Sequence, residues 1–146
     1  MSTLFPYANI LAGTLVLIVG FGFHFCGQLI SVVNYDYACR LGLQEKDLPP
    51  DYFPYEYGTA MADVLLGWTY GLAALGLYLG ASWGYGLAFL PGSVLLYHSL
   101  NAWFWEAARR RDGKGLWTNR FRNIWCGANF LTGLLTLAVA WSGTAA

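Results

Sequence analysis

The chain has 146 residues, of which 57% are apolar, 18% aromatic and 11% charged. Soluble domains carry about 25% charged residues, so this composition excludes a soluble monomer and equally excludes a disordered chain. Eight basic residues balance eight acidic ones, which removes any electrostatic case for nucleic-acid binding, and the length fits a single domain spanning 1–146.

Every charged residue falls in one of two stretches, Asp36 to Asp63 and Glu106 to Arg122. The uncharged stretches 1–35, 64–105 and 123–146 can each cross a bilayer, because a span needs about 20 apolar residues. As one helix the middle stretch would be roughly 63 Å long, twice the hydrocarbon thickness, so it is expected to fold back on itself.

In chain order, the first predicted helix covers 7–33 and carries His24, Gln28 and Ser31. No basic residue precedes it and no small-x-small cleavage site follows it, so it is expected to stay in the mature protein. A polar connection, 34–57, comes next. Asp36 to Gly42 should continue the first helix until Pro49-Pro50 stops it, and the tyrosines from Tyr35 to Tyr57 suit the headgroup layer. The second helix, 58–80, holds Asp63 and the stripe Gly67, Gly71, Gly76 and Gly80, a spacing that allows close approach of another helix. Gly80 to Gly86 is the expected turn.

A third helix, 82–105, holds His98 and Asn101, with a kink expected at Pro91. Basic residues crowd the connection 106–122, and the fourth helix, 123–141, holds Asn129. The fold expected is all-α, a polytopic membrane bundle of four helices. All basic residues lie in the first and third connections, so the positive-inside rule places 34–57 and 106–122 in the cytoplasm and both termini on the opposite side. The expected address is a prokaryotic plasma membrane. Membrane lipids are the expected neighbours, and the glycine stripe is a candidate face for a homo-oligomer or a larger membrane complex.

Polar groups inside hydrocarbon turn toward the bundle interior. Those of this chain, His24, Gln28, Asp63, His98, Asn101 and Asn129, fall on one seam per helix in the cytoplasmic half. They are the candidate lining of a pocket for a small-molecule or lipid-like ligand. Asp63 and the histidines are its polar anchors, Trp and Tyr rings its walls, and proton exchange with a substrate is a further possibility. A structural network of interhelical hydrogen bonds would use the same residues. An accessory subunit of a larger complex is the alternative function, and a haem b held by His24 and His98 is a third. No metal centre is expected: His24 and Cys26 face different sides of one helix. Cys26, Cys39 and Cys126 form no C-x-x-C pair and lie where thiols stay reduced.

Overall fold

A computed structural model describes residues 4–46 and 48–145. Within them the chain is all-helical. The first long helix, α1 (Ala8–Val33), is followed by a short α2 (Tyr35–Arg40) and then by α3 (Phe53–Tyr78), α4 (Ser82–Arg111) and α5 (Asn119–Thr144). Three of them, α1, α3 and α5, are long and apolar enough to cross a membrane. The outward faces carry large apolar side chains such as Leu65, Ile124, Leu131 and Trp141, an exterior suited to acyl chains and not to water. These features point to an integral membrane protein.

The long helices close a ring in which α3 packs on α1 and α4, and α5 packs on α4 and α1. Small residues set the spacing. A Cβ on Gly67 would stand 2.7 Å from the Cβ of Phe25, so only glycine lets α1 and α3 approach this closely. Gly76 of α3 and Gly84 of α4 touch backbone to backbone. Three of the four glycines of the expected stripe are covered from within the chain, Gly67 by Phe25, Gly71 by Phe21 and Gly76 by Trp83, while Gly80 in the turn has open space beside it.

Several boundaries differ from expectation, each for a local reason. The first long helix is α-helical over Ala8–Leu15 and Gln28–Val33 but π-helical over Val16–Gly27. In that wider winding Val16, Gly20 and His24 recur every four residues on the buried side. Asp36 to Gly42 does not continue α1. Asn34 breaks it with extended backbone and caps the separate α2, its side chain accepting from the Tyr37 amide.

The turn expected over Gly80 to Gly86 contracts to three residues. Gly80 adopts φ 61°, the Ala81 amide reaches back to the Gly76 carbonyl, and a helix resumes at Ser82. Pro91 lies inside an unbroken α4, and α5 starts at Asn119, four residues before the expected 123, because Thr118 caps it by accepting from the Phe121 amide.

Candidate functional site

His24 of α1 is 2% exposed, Asp63 of α3 5% and Asn129 of α5 0%. The imidazole joins the other two: Nδ1 lies 3.1 Å from Asp63 Oδ2, and Nε2 lies 2.6 Å from Asn129 Oδ1. The Asn129 amide is oriented independently, since its Nδ2 donates to the Trp125 carbonyl one turn back at 2.9 Å. Its oxygen is thus what faces His24, and Nε2 must carry a hydrogen.

The other nitrogen faces a carboxylate, so the His24–Asp63 pair holds one further proton. That proton sits either on Nδ1, giving an imidazolium–carboxylate pair, or on Asp63, giving two neutral groups. Both arrangements carry zero net charge, as a buried site in low dielectric requires. Without the proton, a nitrogen lone pair would point at a carboxylate.

His98 of α4 meets His24 edge to face, with ring centroids 4.5 Å apart at 84°, and Trp125 stacks on the other side of His24 at 5.3 Å. No side chain among the described residues hydrogen-bonds to His98. It forms, with His24, the inner end of a cavity of about 420 Å³, inside the size range of small-molecule sites. Rings of Tyr55, Trp105, Trp117 and Trp125 wall this cavity, and it extends to the connection between α2 and α3 at Leu43, Gln44 and Glu45.

The outer wall is tied down by hydrogen bonds. Gln44 donates to Gln28 Oε1, Ser31 Oγ and Glu56 Oε1 at 3.0 to 3.2 Å, so the connection folds inward over the ends of α1 and α3. Glu56 also accepts from Gln28 and from the Tyr52 hydroxyl. Burial, followed by the charge of Glu56, pushes the Tyr52 phenol well above its usual range. On the far side of Tyr52 and Trp105 lies the Arg109 guanidinium, stacked on both rings and paired with Asp51 at 2.9 Å.

The connection between α4 and α5 wraps around Glu106, which is 1% exposed and accepts from the Leu116 and Trp117 amides and from Arg110. That fixes Trp117, whose indole N–H donates to Glu45 across the mouth at 3.1 Å.

Of the six residues expected to share a pocket, His24, Asp63, His98 and Asn129 come together. His24, His98 and Gln28 touch the cavity, while Asp63 and Asn129 stand behind His24 and orient it. Asn101 does not line the cavity; it donates to the Tyr55 hydroxyl at 2.7 Å and steadies that ring. Glu45, Gln44 and Trp117 were not singled out from the sequence. A signal existed in the tyrosine-rich first connection and the indole of Trp105 on the His98 stripe, but sequence alone assigns such rings to the headgroup layer.

Haem does not fit. Two axial metal–imidazole bonds of about 2 Å each would hold the rings on opposite sides of a porphyrin. Here the rings touch at 4.5 Å and both nitrogens of His24 are engaged. A bare ion is a different matter. His24, Asp63 and His98 offer ligand atoms within 4.8 Å of one another, a donor set suited to zinc or iron, and holding an ion would require His24 to give up one of its two hydrogen bonds.

Comparison with known proteins finds no family model that matches the chain, and no curated protein or solved structure similar to it.

Proposed function

We propose that this is a four-span integral membrane protein that binds a small-molecule or lipid-like ligand in the cavity beneath the first connection, at the cytoplasmic end of the bundle. The helix α4 is less apolar than its neighbours. Its outward side chains nevertheless include Tyr97, 71% exposed, and Phe104, 68% exposed, and these favour lipid over water as its surroundings. Arg109, Arg110 and Arg111 form the last turn of α4 and Lys114 follows it, on the same end as Arg40 and Lys46, which supports a cytoplasmic position for both connections.

The observation that carries the reading is the cavity itself. An open-mouthed cavity of about 420 Å³, within the usual size of small-molecule sites, runs inward to an imidazole that no described side chain hydrogen-bonds. Catalysis is a natural extension. His98, the imidazole on the cavity wall that no described side chain hydrogen-bonds, is the group placed to exchange a proton with a bound molecule, since both nitrogens of His24 are taken by Asp63 and Asn129. An accessory-subunit role would rest on the outward apolar side chains, because Gly67, Gly71 and Gly76 of the glycine stripe are covered by Phe25, Phe21 and Trp83.

Native mass spectrometry of protein released from a mild detergent tests the proposal. A retained small molecule is expected on the wild type and not on Ala102→Trp, which fills the cavity from α4. Thr59→Met, from α3, serves if the first variant fails to fold. A wild type that carries nothing, and that no lipid extract or metabolite mixture loads, overturns the reading.

A further inference from the structure

The cavity wall holds two carboxylates, Glu45 and Glu56, and no lysine or arginine. Each is held by neutral donors. Glu56 takes Gln28, Gln44 and the Tyr52 hydroxyl, and Glu45 takes the Trp117 indole. Of the guanidiniums packed nearby, Arg109 bonds Asp51 and the Lys114 carbonyl and leaves Nη2 without a described partner, Arg110 bonds Glu106 and the Trp117 carbonyl, and Arg122 stacks on Trp103; none reaches Glu45 or Glu56. At the inner end the His24–Asp63 pair is neutral in either proton arrangement. The wall therefore carries two carboxyl groups with no cationic side-chain partner among the described residues, within a shell of electron-rich rings.

We infer that the occupant of this cavity is an organic cation, an ammonium or quaternary ammonium group on an apolar body. The inference rests on the ligand-pocket reading above and specifies the ligand class. Carboxylates and aromatic faces together are the chemistry that recognises such a cation, through Coulomb attraction and through the ring quadrupole. The rings of Trp117 and Trp125 and the carboxylates of Glu45 and Glu56 supply both.

At about 420 Å³ the cavity falls within the size range of small-molecule sites, ample for an ammonium head on an apolar body. A zwitterionic lipid headgroup fits less well, since its phosphate would find no basic side chain on the wall. Free amine and choline-type lipid share the ammonium, and the absence of a phosphate partner among the lining residues separates them.

The test uses the intact protein in an uncharged detergent, with tryptophan fluorescence reporting through Trp105, Trp117 and Trp125. Three probes are titrated at equal detergent concentration: the water-soluble benzyltrimethylammonium and phosphocholine, and neopentylbenzene, the uncharged isostere of the first, delivered through the detergent and compared by its concentration free in water. Benzyltrimethylammonium is expected to bind at least tenfold more tightly than either of the others. Glu56→Gln should weaken it about tenfold and leave the uncharged probe unaffected, and Glu45→Gln in the connection repeats the comparison if Glu56→Gln does not fold. The exposed Asp112→Asn serves as the unchanged control.

Equal binding of the charged and uncharged probes, in wild type and variants alike, overturns the cation class and leaves the pocket standing. Phosphocholine binding as tightly as benzyltrimethylammonium overturns the phosphate-free assignment and makes a lipid headgroup the source. No response to any probe, from a protein that also retains nothing in the mass spectrometer, removes pocket and cation together.

Discussion

Near the turn at Gly80, α3, α4 and α5 meet through Ala73, Ala88 and Ala140, with Leu77, Tyr85 and Val139 filling the space between them. At the opposite end the same helices are held apart by Tyr55, Trp105 and Trp125 around a void of about 420 Å³. The difference is one of side-chain size along each helix. Methyl groups and glycines let backbones touch, so one end is solid, while large rings stacked on one another leave a hollow that polar groups then line. Stability belongs to the first end and chemistry to the second, and substitutions can separate the two.

The largest effect is expected at the solid end. Gly84→Val forces a branched side chain against the Gly76 backbone, a place with no flexible neighbour to yield. Overpacking of this kind costs about 3 kcal/mol, a fall in melting temperature on the order of 10 °C for a chain of this size, read in detergent by tryptophan fluorescence. Ligand retention in the protein that remains folded should be unchanged. A melting temperature equal to that of the wild type would show that the close-packed end is not where the bundle gets its stability.

Second comes the imidazole at the hollow end. His24→Leu strands the Asp63 carboxyl and the Asn129 oxygen in the interior, and removing one member of such a buried group costs about 3 kcal/mol. Asp63→Asn keeps a hydrogen-bonding partner for Nδ1 and costs about 1 kcal/mol. It also removes the shared proton, seen as loss of a protonated-carboxyl or imidazolium band in infrared difference spectra. Equal small losses in both variants would mean that the three residues do not act as one hydrogen-bonded unit.

The smallest effects lie in the connection over the cavity, where two carboxylates titrate in opposite senses. The Arg109 hydrogen bond holds Asp51 below its ordinary value of 3.8. Its contribution to folding is complete above that value and is lost as pH falls below it. Burial raises Glu45 above its ordinary value of 4.5. The folded state there favours the neutral acid, so stability declines as pH rises from 4.5 through the raised value. Melting temperature against pH should lose its acid limb in Asp51→Asn and the opposing limb in Glu45→Gln, each by a few degrees at most because both groups are partly hydrated.

The contrast between the ends also explains what could be read in advance. Charge segregation and length account for four long helices and both charged connections, and the rule that polar groups avoid hydrocarbon puts His24, Gln28, Asp63, His98, Asn101 and Asn129 on inward seams, of which His24, Asp63, His98 and Asn129 meet in the structure. Three things were out of reach. The π-helical winding around His24 leaves no mark in a sequence of apolar residues and glycines. The capping geometry at Asn34 depends on an extended backbone that competes with simple continuation of α1. The cavity's outer wall depends on Gln44, Glu45 and Trp117 meeting across two connections, and such long-range loop contacts have no periodicity to betray them. Asn101 fell on the correct helix face but spends its amide on Tyr55, a contact that periodicity cannot distinguish from lining a pocket.

In the twelve π-helical residues around His24 each backbone amide reaches one residue farther back than in an ordinary helix, so this stretch turns through a smaller angle per residue. Gln28 and Ser31 anchor its inner side to Gln44, and Asn9 anchors its outer side by donating to the Leu77 carbonyl. The winding therefore sets the angle at which His24 leaves the helix, and an α-helical stretch of the same residues would aim the imidazole away from Asp63 and Asn129.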